Sequence, residues 1–170
     1  MPAPKMSSDD ILALPPRLPE VEQWRDEPVS LLPAALYALT DLPDAAADLV
    51  RLQDACEAKC DTHHRGECVR PPPDGAWNFA GQTMEAVVRH HLELAKGRQF
   101  DPLHFVVVAA ASGGGDDVVL FVTLDADDEQ EECVPDAFWV KAEDAGLCFM
   151  NMVIGSADWY EQKAQHALKK

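Results

Sequence analysis

The 170-residue sequence predicts one α+β domain, with N-terminal helices packed on a mostly antiparallel β-sheet. Three observations carry that expectation. Apolar residues recur at helical spacing up to about residue 96, and short β-branched apolar runs replace them after residue 100. Helices followed by strands favour segregated elements over a doubly wound alternation. Hydrophobic residues make up 47% of the chain, enough for a core that does not depend on metal or disulfides.

Residues 1–33 read as a proline-rich N-terminal arm and residues 34–170 as the domain proper. Prolines at 2, 4, 15, 16, 19, 28 and 33 remove backbone donors and block helix continuation. Leu12, Leu14, Leu18, Val21 and Trp24 are the arm's candidate anchors. A short helix is expected at about 33–40. Thr40 or Asp41 suits an N-cap, with Pro43 and Asp44 in the first turn. Leu42, Ala46, Leu49, Val50 and Leu52 then predict a helix from about 43 to 59. Gly66 and Pro71-Pro-Pro73 open an extended connector. From about 79 to 96, Met84, Val87, Val88, His91, Leu94 and Ala95 form an amphipathic stripe, closed by Gly97. The runs 103–110 and 118–124 predict strands joined by a hairpin through Ser112-Gly-Gly-Gly115. A solvated acidic loop is expected over 125–132, strands at about 134–140 and 147–154, and a short helix capped by Ser156 or Asp158.

The layout from Phe100 to about Glu161 resembles a family of microbial domains of unknown function. The residues that carry the resemblance are the strand pair His104 to Val108 and Val118 to Leu124, then Val134-Pro-Asp-Ala-Phe-Trp139, Leu147-Cys-Phe-Met-Asn-Met152 and Asp158-Trp-Tyr-Glu161. The resemblance covers a little over a third of the chain. It implies a compact mixed sheet and transfers no catalytic residue.

A formal charge of −16, from 30 acidic and 14 basic side chains, sets a negative field around the chain. Phosphate binding needs clustered Lys and Arg, so the field argues against nucleic acid and against anionic membrane surfaces. It favours a basic partner protein. The longest apolar run, Phe105 to Ala111, is far short of a membrane span. The N-terminus shows no apolar secretory segment. A cytoplasmic location is therefore expected, where thiols stay reduced.

Three of the five cysteines crowd into one segment, Cys56-Glu-Ala-Lys-Cys60-Asp-Thr-His63-His64-Arg-Gly-Glu-Cys68. Thiolate and imidazole are zinc donors, and structural zinc is the one cofactor these residues suggest. In an unbroken helix Cys56, Cys60, His64 and Cys68 would spread over about 18 Å, at a rise of about 1.5 Å per residue. A site therefore requires the helix to stop after Cys60 and the chain to fold back, with His63 or His64 completing a Cys₃His set. The competing readings are a cysteine-rich surface turn and a thiol redox switch.

His91 falls on an apolar stripe, as a core histidine would, and His104 alternates with Val106 along a strand. With the aromatic residues Trp77, Trp139, Trp159 and Tyr160 these histidines are the pocket candidates, against ordinary core filling. The Ser112-Gly-Gly-Gly115 run lacks the lysine of a phosphate loop, and residues 125–132 lack the glycine a calcium loop needs. No nucleophile elbow occurs, and Cys133 and Cys148 read as buried and inert. The leading expectation is a non-enzymatic binding or protein-interaction module. A zinc-stabilised domain and a small enzyme acting on a hydrophobic small molecule remain as alternatives.

Overall fold

Strand β1 (Ala34–Ala38) is buried at every position, which only a strand covered on both faces can be. It lies second in a five-stranded sheet of order β2-β1-β3-β4-β5, with β2 at Val69–Arg70, β3 at His104–Val108, β4 at Val118–Thr123 and β5 at Asp136–Lys141. β1 pairs parallel with both β2 and β3, whereas β4 pairs antiparallel with β3 and β5. A computed structural model describes residues 7–25, 27, 31–60, 64–109, 117–127, 129 and 131–168. The molecule is α+β, but its sheet is mixed where a mostly antiparallel one was expected. The segment at 33–40 is the strand β1 and not a helix.

Parallel neighbours need crossovers, and helices supply them. The helix α3 (Ala45–Cys56) links β1 to β2, and α4 (Met84–Ala95) links β2 to β3. Their N-caps are Asp44, which accepts from Ala47 N–H, and Thr83, which accepts from Ala86 N–H. Asp44 takes the role expected of Thr40 or Asp41. Two crossovers in opposite directions along the sheet put α3 and α4 on opposite faces.

Alternation along the strands divides the apolar residues accordingly. Leu36, Val106, Phe121 and Val140 face one core with Leu52 of α3; Tyr37, Phe105, Val107 and Val122 face the other with Val87 and Val88 of α4. The first core is completed by α5 (Ala142–Val153) and α6 (Trp159–His166), through Ala145, Phe149 and Trp159. Residues 147–154, expected as a strand, therefore belong mostly to a helix. Its buried face follows the helical repeat Ala142, Ala145, Gly146, Phe149. α6 is capped by Asp158, one of the two caps expected.

The second core is closed by the N-terminal arm. Two short helices, α1 (Ser8–Ile11) and α2 (Glu22–Arg25), flank a 3₁₀ turn at Pro19–Val21. Leu18, Val21 and Trp24 are buried against the domain, as their anchor role requires. Arg17 pairs with Glu132, and Arg25 makes a two-pronged bridge to Asp125 at 2.8 and 2.9 Å. The Asp125 side chain is thereby left only 4% exposed, so the acidic loop is not solvated throughout as expected. The glycine-rich tip Ser112–Gly115 lies outside the described residues.

Candidate functional site

The turn entering β3 is organised by Asp101. Its Oδ1 accepts from the N–H groups of Leu103 and His104, each at 2.9 Å, and lies 3.0 Å from His104 Nδ1. Burial alone would raise this carboxyl, but the His104 ring and the Leu103 N–H outweigh it and hold the group below the usual carboxylate range. An ionised carboxylate only accepts, so His104 Nδ1 donates to it. In the neutral ring that leaves Nε2 as the lone-pair nitrogen. Nε2 is buried and has no hydrogen-bond partner. The ring stacks on Phe121 and meets Phe149 at a tilt, on the α3–α5 side of the sheet.

The backbone carbonyl of Asp101 serves the other side. His91 Nε2 donates to it at 2.9 Å, because a carbonyl can only accept. His91 Nδ1 must then accept, and Tyr37 Oη donates to it at 2.8 Å. Burial pushes His91 down to about 4 and Tyr37 well above the ordinary phenol range, so both groups are neutral. Every polar atom of this pair is satisfied, and His91 is a core residue. His91 and His104 thus lie on opposite faces of the sheet and do not converge on one pocket.

Beside His104 is a cavity of about 390 Å³ at the amino ends of the parallel strands. The arm gives it Trp24, Arg25, Glu27 and Leu32; the end of α4 and the turn into β3 give Ala95, Arg98 and the segment Phe100–His104; α5 gives Met152 and Val153. Its two arginines each have a carboxylate of their own. Arg25 is held by Asp125 and Arg98 by Glu27 at 3.0 Å. Among the described residues, the walls contain no Ser, Thr, Cys, Lys or Tyr. A second recess, of about 590 Å³, is lined by Glu20, Gln23, Trp24, Arg89, Leu92, Glu93 and Lys96. There the Arg89–Glu20 and Lys96–Glu93 pairs are exposed and no buried polar group awaits a partner.

Of the pocket residues singled out in the sequence, only His104 lines the cavity at the entrance to β3. Trp77 and Trp159 pack in the α3–α5 core, Trp139 against the α4 core, and Tyr160 is exposed. Trp159 Nε1 donates to Asp136 at 2.8 Å, a structural bond. Asp101, Phe100 and Arg98 were missed. The spacing Asp-Pro-Leu-His at the entrance to a strand was the available signal, since an Asp side chain readily accepts from amides two and three residues on.

In the described part of the cysteine-histidine segment, a carboxylate holds the backbone. After α3 the chain does fold back, but Glu57 holds it. One carboxylate oxygen accepts from Gly66 N–H at 2.8 Å, and the other from Cys68 and Val69 N–H at 2.8 and 3.2 Å. Gly66, at φ +90°, makes the return. Among the described residues no three His, Cys, Asp or Glu side chains converge as metal ligands, and His63 lies outside them. Cys56 is buried and pushed up to about 12, while His64 is on the loop, its N–H bonded to Glu67. Burial also raises Cys133 to about 11 and Cys148 to about 12. Cys60 and Cys68 do meet, sulfur to sulfur at 3.1 Å, and Cys68 reaches the Gly146 carbonyl at 3.5 Å. The hydrogen bond between the thiols draws Cys60, the more exposed, below its ordinary value and pushes Cys68 far up.

Comparison with family models, with curated proteins and with solved structures finds no match for this chain.

Proposed function

We propose that the chain is a non-enzymatic binding module whose cavity takes a small, uncharged, largely apolar molecule bearing one hydrogen-bond donor. The supporting observation is His104 Nε2, a buried acceptor without a partner on the wall of the cavity, its tautomer set by Asp101. Leaving such an atom unpaired costs about 1–3 kcal/mol, which a donor on a bound molecule would recover. Because Arg25 and Arg98 are already paired with carboxylates, charge neutrality favours an uncharged ligand over an anion. The Asp-oriented imidazole also has the form of a general base. Among the described wall residues there is no Ser, Thr, Cys, Lys or Tyr for that base to activate, so binding is the better supported reading.

The test is titration with cyclohexanol, phenol and their methyl ethers, followed by two-dimensional NMR of histidine ring nitrogens. The alcohols should bind saturably and move His104 Nε2, with the ethers roughly 5- to 10-fold weaker for want of one hydrogen bond. His104→Phe should erase that difference, and Leu103→Trp should block binding by filling the cavity. Equal binding of alcohol and ether, or binding indifferent to Leu103→Trp, would sink the reading.

A further inference from the structure

We propose that Cys60 and Cys68 form a reversible intramolecular disulfide when the chain meets a hydroperoxide, stapling the end of α3 to the start of β2. The geometry of the two thiols carries this. Their sulfurs are 3.1 Å apart, and closing to the bonded distance of about 2.05 Å asks for a movement of about 1 Å. Cys68 cannot move away. Its N–H is held by Glu57 and its carbonyl accepts from Ala34 N–H at 2.8 Å, at the head of the β1–β2 pairing. Cys60, by contrast, follows α3 and is part-exposed, so an oxidant can reach it.

Gly146 supplies the room. A Cβ built there would stand 2.6 Å from Cys60 Sγ and 3.2 Å from Cys68 Sγ. Only a residue without a side chain lets the pair lie side by side under α5. The other three cysteines are buried, which leaves Cys60 as the accessible thiol.

The reaction balances as two thiols and one peroxide giving one disulfide and two waters. The Cys60 sulfur attacks a peroxide oxygen, the O–O bond breaks, and a sulfenic acid and the first water (or, with an organic peroxide, the alcohol) result. The Cys68 sulfur then displaces hydroxyl from the Cys60 sulfur. The S–S bond forms, and the hydroxyl leaves as water with the Cys68 proton. The two sulfurs lose the two electrons that the peroxide gains.

The experiment treats the full chain with hydrogen peroxide, alkylates remaining thiols under denaturing conditions, and maps the tryptic peptides. Trypsin cuts after Lys59 and Arg65, so the two cysteines leave on separate peptides. The expected product joins peptide 60–65 to the peptide beginning at Gly66, lacks two hydrogens relative to the separate pair, and is undone by dithiothreitol. In Cys68→Ser the cross-link should vanish and Cys60 should run on to the sulfinic acid. Both cysteines alkylated after peroxide would overturn the proposal. So would a Cys60 link to another chain, or Cys56, Cys133 or Cys148 oxidised ahead of Cys60.

Discussion

Gly146 lies inside α5 with the Cys56 carbonyl and two thiols where a side chain would begin. An alanine would gain about 1 kcal/mol of helix propensity. Its Cβ would overlap the Cys56 carbonyl oxygen, which is backbone and cannot turn aside. Overpacking costs typically 1–3 kcal/mol or more, so Gly146→Ala should be destabilised on balance by about 1–2 kcal/mol in urea unfolding. Tyr37 and His91 make a second residue-scale case. Tyr37→Phe keeps the edge-on packing with Phe79 and Phe105 but strips His91 Nδ1 of its donor. The cost should be about 1–3 kcal/mol. The pH dependence of the same pair has a definite sign. His91 titrates at about 4 when folded, against 6.5 in its unperturbed state. The unfolded chain therefore binds the extra proton between those values, and stability falls as pH drops from 6.5 toward 4. The loss from this residue is on the order of 3 kcal/mol. Unfolding at pH 7 and pH 4.5 should show it, with a flatter dependence in His91→Phe.

Among the elements, the loop between α3 and β2 rests on one side chain. Glu57→Gln replaces a carboxylate that accepts from three N–H groups by an amide with a single acceptor oxygen. Hydrogen exchange at Gly66, Cys68 and Val69 should accelerate about 10-fold or more, a loss of about 1.5–3 kcal/mol, while exchange in β4 stays unchanged. The elements that were legible in the sequence are α3 and α4, whose periodicity had one face, and β3 and β4, whose apolar runs are short and β-branched. β1 was not, because Ala-Ala-Leu-Tyr-Ala is a good helix former and its strand nature comes from burial between two helix layers. α5 was misread for the converse reason. Leu147-Cys-Phe-Met-Asn-Met-Val153 is apolar almost throughout, which mimics a buried strand, and the helical repeat shows only when Ala142 and Ala145 are counted with it.

Over the whole molecule, charge is the dominant unbalanced quantity. Most of the described basic side chains already face a carboxylate, as in Arg51–Asp117, Lys59–Asp144 and Arg65–Asp54, so the excess that repels itself is acidic. Salt should therefore raise the melting temperature. In about 1 M sodium chloride, where screening acts within about 3 Å, the gain should exceed what exposed ion pairs lose. A melt that falls with salt would show those pairs matter more than the net charge. The site was legible only in part at this scale. His104 could be picked out along its strand, but its pairing with Asp101, and the arm that supplies Trp24 and Arg25 from about 80 residues earlier, are products of the tertiary fold.

Asp101 touches both cores, its carbonyl receiving His91 on one face and its carboxylate receiving His104 on the other. The two hydrophobic layers are thus not thermodynamically independent. Substitutions at Tyr37 and at His104, separated by the sheet, should fail to add in a double-mutant cycle, because each changes how firmly the same residue is held. A molecule entering beside His104 would then be felt by the phenol of Tyr37 on the far side, with Asp101 as the joint.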